Sequence, residues 1–125
     1  MRNRILVLDD DNDVLTILSF LLDDSGYDVK ALNDANTIFE DIQTFKPDLI
    51  LIDVVLKDVD GRAVCKEVKE NLRTGFLPTI LMSGTHHFIE SLQLPCAADD
   101  FIDKPFDISN LLNSIQKHLS PRVAY

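Results

Sequence analysis

The chain has 125 residues, 46% apolar and 26% charged, with 21 Asp and Glu against 12 Lys and Arg and a formal net charge of -9. That is one domain's worth of chain with enough apolar residues to bury a core without a disulfide or metal staple, which excludes a disordered tail. Acidic surfaces repel phosphate backbones, so the composition also argues against direct nucleic-acid binding.

Five short apolar runs alternate with segments of helical period. Ile5-Leu6-Val7-Leu8 has apolar residues on both faces, the mark of a central parallel strand. Val14, Leu15, Ile17, Leu18, Leu21 and Leu22 then fall on a helical stripe that stops at Gly26. Val29 to Leu32 reads as a second, edge-like strand, after which Asn33 or Asp34 can cap a helix with Ala35, Ile38, Phe39, Ile42 and Phe45 on its inner face. Pro47 closes that helix, and Leu49 to Leu56 is the most apolar segment of the chain. A turn at Asp58-Val59-Asp60-Gly61 leads into a third helix marked by Val64, Val68 and Leu72. Thr79 to Met82 is the fourth strand, Thr85 to Leu94 a short fourth helix cut by Pro95, and Phe101-Ile102 a brief fifth strand. Asp107 caps a last helix bearing Ile108, Leu111, Leu112, Ile115 and Leu119.

Other signals exclude further classes. Cys65 and Cys96 form neither a metal-ligand spacing nor a disulfide framework and read as small thiols in a reducing cytosol. The basic start at Arg2 and Arg4 precedes an apolar run that ends at Asp9, too short for a secretory signal, and no run approaches a membrane span. A cytoplasmic protein with no membrane or nucleic-acid partner is therefore expected.

Strict β-α alternation predicts a doubly wound parallel sheet covered by helices on both faces, with its chemistry at the carboxyl ends of the strands. Four of the five predicted strands end in such residues: Asp9-Asp10-Asp11, Asp53, Ser83-Gly84 and Asp103-Lys104-Pro105. Asp53 interrupts seven aliphatic residues, where an isolated carboxylate costs several kcal/mol unless paired, protonated or metal-bound. The plain alternatives are that Asp53 caps a following turn and that one acid of the first run caps a helix. Three acids and one lysine at adjacent strand ends leave a charge near −2, which raises pKa values or calls for a cation. Mg²⁺ suits a site of few carboxylates, retained waters and room for a phosphate oxygen. An EF-hand reading of Asp9-x-Asp11-x-Asp13 fails at Val14 and Phe20, and there is no glycine-rich nucleotide loop. His86-His87 read as a solvated loop and His118 as a surface residue near a helix end.

These residues resemble the receiver (phosphoacceptor) domain of two-component response regulators. The resemblance runs from Ile5 to about Leu119. It is carried by Ile5-Leu6-Val7-Leu8-Asp9-Asp10-Asp11, Pro47 to Asp53, Asp60-Gly61, Ser83-Gly84, and Ala98-Asp99-Asp100-Phe101-Ile102-Asp103-Lys104-Pro105-Phe106. It implies a single receiver domain over residues 1–125 with its core over about 4–119, a flavodoxin-like α/β/α fold with strand order 2-1-3-4-5, and five helices. By the same resemblance Asp53 is the phosphoacceptor. Asp9, Asp10, Asp53 and the backbone oxygen of Val55 hold one Mg²⁺. Ser83 and Lys104 contact the phosphoryl group, with Ser83 and Phe101 as the switch pair, and the Lys104-Pro105 peptide is cis. The implied partners are a histidine kinase or a histidine phosphotransfer protein upstream and an unidentified protein or output domain downstream. Such a protein is a regulated switch rather than an enzyme, although it catalyses its own phosphorylation and dephosphorylation. Ser83 and backbone amides near Val54 and Gly84 are expected to donate to the phosphoryl oxygens.

Several residues depart from the family pattern. Lys57 stands where relatives usually have Pro, the fourth helix is short, and Phe101 lacks the hydroxyl that many relatives carry. Val55 and Thr85, two residues past Asp53 and Ser83, occupy positions that in similar domains influence attacking water, and an apolar Val55 cannot orient water, so a slowly hydrolysed phosphoaspartate is expected. A degenerate receiver serving only as an interaction module is the rival reading, against which the intact Asp10, Asp53, Ser83 and Lys104 set argues. An aspartyl phosphatase of the haloacid dehalogenase kind needs a second Asp where Val55 stands. With Tyr125 six residues past Leu119, the chain reads as a stand-alone regulator or as one piece of a larger protein.

Overall fold

The structure, a computed structural model, describes residues 2–84, 97–104 and 107–119. Its strands are β1 (Arg4–Leu8), β2 (Asp28–Leu32), β3 (Leu49–Asp53), β4 (Thr79–Gly84) and β5 (Asp100–Lys104). The helices among the described residues are α1 (Asn12–Asp24), α2 (Ile38–Phe45), α3 (Gly61–Glu70) and α4 (Ile108–Leu119). The helix expected at Thr85 to Leu94 and the Lys104-Pro105 peptide lie outside the described residues.

All strand pairs are parallel and the order is β2-β1-β3-β4-β5. Because successive side chains of a strand point to opposite faces, each central strand feeds two cores. Leu6, Leu8, Ile50 and Ile52 pack with Ile38, Ile42, Val64 and Val68 of α2 and α3. Ile5, Val7, Leu49 and Leu51 pack with Leu15, Leu18 and Leu22 of α1 and with Leu111 and Ile115 of α4. That sandwiching explains the unbroken apolar runs of β1 and β3. β2 is the edge strand expected, with no fully buried residue.

Local signals set the helix starts. Asp11 caps α1 by accepting from the amides of Asp13 (2.9 Å) and Val14 (3.4 Å). Asp34 caps the 3₁₀ turn Ala35–Thr37 that precedes α2, Asp60 caps α3, and Asp107 accepts from Ser109 and Asn110 at the start of α4. The apolar faces are narrower than their composition suggests. Ile17 is 56% exposed because it lies about 100° round the helix from Leu18 and off the Leu15–Leu18–Leu22 line. Phe39 is likewise outward, and α3 ends at Glu70, so Leu72 follows the helix and is fully exposed.

Candidate functional site

The strand order reverses between β1 and β3, and the carboxyl ends of those two strands carry Asp9 and Asp53. Leu8 pairs with Ile52, so Asp9 and Asp53 leave the sheet side by side. With Asp11 used as the helix cap, Asp9 and Asp10 are left for other work. Asp9 is completely buried; its Oδ1 accepts from the Asp11 amide at 3.0 Å. Asp10 is exposed at the rim. The carboxylates of Asp9, Asp10 and Asp53 offer oxygens that lie within 4.8 Å of one another.

Lys104 comes from the edge strand β5 and reaches across the end of β4. Its ammonium donates to Asp9 Oδ2 at 2.8 Å and to Asp53 Oδ2 at 3.0 Å. Burial pushes the Asp53 carboxyl up, and the neighbouring Asp9 charge adds to the rise; the hydrogen bonds from Lys104 and the Val55 amide act the other way and do not cancel it. Burial works to lower the Lys104 ammonium, but its bonds to the two carboxylates outweigh that and raise it. One cation between two buried carboxylates, with a third at the rim, leaves net negative charge. The oxygen-only donor set and the uncompensated charge fit a hard divalent cation.

Ser83 lies one residue past Met82, which pairs with Asp53. Its hydroxyl is fully buried and has no hydrogen-bond partner among the described residues. A buried unsatisfied hydroxyl costs about 1–3 kcal/mol, so this one is set for an acceptor or donor that arrives from outside. The Val54 amide does not serve as the expected donor, because it is committed to the Met82 carbonyl at 2.8 Å. The sheet ladder extends past Asp53 and consumes it. The next amide, Val55, instead holds Asp53 Oδ1 at 3.2 Å. The Val55 side chain is 49% exposed and its backbone bridges antiparallel to Asp60. Lys57 lines the same polar cleft as Asp10, together with Asn12, Asn33 and Asn36. Phe101 pairs with Leu81 and packs half-buried against the α2–α3 core.

Two features escaped the sequence. Gly61, noted as part of a turn and of the Asp60-Gly61 motif but not for any contact, packs directly on the phosphoacceptor candidate's backbone: a Cβ there would stand 1.9 Å from the Asp53 carbonyl oxygen. A glycine opening a helix directly behind its capping acid was the available signal. His118 is not a free surface residue. Its Nε2 lies 3.0 Å from Asp100 Oδ2, which also accepts from the Ser114 hydroxyl at 2.7 Å. Burial would raise the Asp100 carboxyl, yet Ser114, the Phe101 amide and His118 hold it below its usual value.

A buried carboxylate fixed by a lysine, beside an acidic cluster and an unsatisfied hydroxyl, suits a group that brings oxygens and negative charge together with a cation. Residues 5–116 match the family model described as the response regulator receiver domain. The alkaline phosphatase synthesis transcriptional regulatory protein PhoP of Bacillus subtilis is 38% identical over 106 residues, covering 85% of this chain. The chain spans 44% of that relative's length. Among solved structures, a response regulator of Chloroflexus aurantiacus superposes with a TM-score of 0.87 at 26% identity, covering 97% of this chain and 100% of its own. The chemotaxis response regulator CheY4 of Vibrio cholerae does so with 0.86 at 26% identity, covering 95% and 100%. No described helix is long and apolar enough to cross a membrane. The chain belongs to the response regulator receiver domain family.

Proposed function

We propose that this chain accepts a phosphoryl group on Asp53 from a histidine kinase or a histidine phosphotransfer protein, and so acts as a switch in two-component signalling. The observation that carries the reading is the Lys104 ammonium lying between Asp9 and Asp53, with the buried Ser83 hydroxyl, unpartnered among the described residues, on the adjoining strand end. An Asp53 oxygen attacks phosphorus, the bond from phosphorus to the donor nitrogen breaks, and the departing imidazole keeps the electron pair and takes up a proton. The transferring group spreads negative charge over its oxygens, so the acceptor site must supply positive charge and alignment. Lys104 supplies a fixed cation, and the Val55 amide holds the second Asp53 oxygen. Ser83 donates its unused hydroxyl proton to a phosphoryl oxygen.

Asp9, Asp10, Asp53 and the Val55 carbonyl are the residues that would hold Mg²⁺, which when bound neutralises charge on the transferred group. The new phosphoryl oxygens draw Ser83 toward Asp53 and open space for Phe101, which turns one local charge event into a surface change. Hydrolysis is slow, because the exposed Val55 side chain has no polar atom to orient water. Mass spectrometry of the intact protein tests the reading. With acetyl phosphate and Mg²⁺ the wild type gains roughly 80 Da, one phosphoryl group, and Asp53→Asn gains nothing. An unmodified wild type rejects the proposal in favour of a pure interaction module.

A further inference from the structure

At the opposite end of the sheet from Asp53, α2 and the segment between α3 and β4 enclose a groove of about 500 Å³. Phe39, Lys46, Pro47, Arg73, Phe76 and Leu77 line it. Phe76 is 77% exposed, and Leu72 stands fully exposed next to Arg73. The backbone that presents these residues is pinned. The buried Thr74 hydroxyl donates to Val68 O at 2.7 Å, the Gly75 amide to Asn71 O at 2.7 Å, and the Leu77 amide to Thr74 O at 3.0 Å. Gly75 lies so close to the end of α3 that a Cβ would sit 2.5 Å from Lys69 O. Two large apolar side chains held outward on a fixed loop, beside a third at Phe39, form an interaction surface rather than a scatter of exposed residues.

Charge identifies the occupant. In a chain of net charge -9, this groove has two cations, Lys46 and Arg73, and no carboxylate in its lining. Of the acids nearest in sequence, Asp41 accepts from the Thr37 hydroxyl at 2.7 Å, Asp48 accepts from the Arg4 amide at 2.8 Å and Glu70 faces Lys66 at 3.8 Å, while the exposed Glu40 beside Phe39 is not part of the lining. A second copy docked face to face would set cation pair against cation pair, which disfavours an isologous dimer here. A cleft between a helix and a loop, with no free strand edge, takes a helix in its groove. We propose that this groove docks an acidic amphipathic helix of a partner protein, with apolar residues at i, i+3, i+4 spacing seated against Phe39 and Phe76 and its carboxylates facing Lys46 and Arg73. Pro47 and Leu77 precede β3 and β4, so the docked helix lies about one strand length, roughly 16 Å, from Asp53 and leaves the phosphoacceptor end open. The inference does not depend on phosphorylation.

Panning the unphosphorylated protein against a displayed library of random helical peptides of about four turns tests it. Enriched sequences are expected to be net acidic with apolar residues at helical spacing. They should bind Phe76→Ser and Arg73→Glu at least about tenfold more weakly than wild type while retaining affinity for Phe20→Ser on α1. Both variants alter exposed side chains and should melt with the wild type, so a loss of binding is not a loss of fold. Neutral or basic enriched sequences, binding unchanged by Phe76→Ser, or no enrichment at all would overturn the proposal. So would a concentration-dependent dimer abolished by Phe76→Ser, which would make the occupant a second copy.

Discussion

Replacing Gly61 by alanine sets two effects of opposite sign against each other. Gly61 is the first residue of α3, and alanine in a helix is favoured over glycine by about 0.5–1 kcal/mol. Against this, the added Cβ would stand 1.9 Å from the Asp53 carbonyl oxygen, 2.8 Å from its carbon and 2.9 Å from Val54 Cα. All three are backbone atoms of a central strand and its exit, so no side chain can swing aside. Restoring van der Waals separation means moving α3 or the Asp53-Val54 peptide by about 1.5 Å, an overpacking cost of roughly 1–3 kcal/mol. The same shift strains the Gly61 amide bond to Val54 O, now 2.8 Å and worth about 1 kcal/mol. The net expectation is a loss of about 1–3 kcal/mol in urea denaturation, accompanied by slower acceptance of phosphate because the displaced peptide carries Asp53. Gly84→Ala is the control, since its Cβ meets nothing within 4 Å and should change stability by no more than about 0.5 kcal/mol. A Gly61→Ala variant as stable as the wild type would refute the reasoning.

Other consequences follow from the charges. Asp53→Asn should raise stability at neutral pH, because it removes a buried charge beside Asp9 while Lys104 keeps Asp9 as its partner. The sign in pH is fixed by the raised Asp53 pKa: the folded state binds this proton more tightly than the unfolded one, so stability is full below 3.8 and falls as pH rises through the folded value. Denaturation from acid to neutral pH should show that fall in the wild type and not in Asp53→Asn. Mg²⁺ at ten times its dissociation constant should stabilise the protein by about 1.4 kcal/mol, a gain that Asp10→Asn abolishes; equal melting with and without Mg²⁺ would count against the cluster as a metal site. Val55→Asn should shorten the phosphoaspartate half-life about tenfold by placing a polar group where water attacks, and an unchanged half-life would remove Val55 from that role.

The strand order came from the resemblance to receiver domains, whereas the starts of α1, α3 and α4 were legible because each carries a capping acid, and the strands because burial on both faces of the central ones writes continuous apolar runs. Asp53 stood out for the same reason, as a carboxylate in an aliphatic run. The limits lie in rotation and distance. Ile17, Phe39 and Leu72 are as apolar as their buried neighbours, and only the angle around each helix, or the helix's end at Glu70, decides that they face out. The contact between Gly61 and Asp53 O joins residues eight apart through the bend of a turn, and His118 meets Asp100 across eighteen residues. Neither leaves a periodic trace. The Ser83 hydroxyl, unpartnered among the described residues, is likewise invisible in sequence, where a serine at a strand end reads the same whether or not it has a partner.

The central claim is that Asp53 carries the phosphoryl group, and borohydride trapping addresses it most directly. After incubation with acetyl phosphate and Mg²⁺, borohydride reduces an acyl phosphate to an alcohol with release of phosphate, leaving homoserine about 14 Da lighter than the aspartate it replaces. Peptide mapping should find that residue at position 53 alone, and only in samples that contained Mg²⁺. Homoserine at Asp9, Asp10 or Asp58, or its absence from every peptide, would contradict the account.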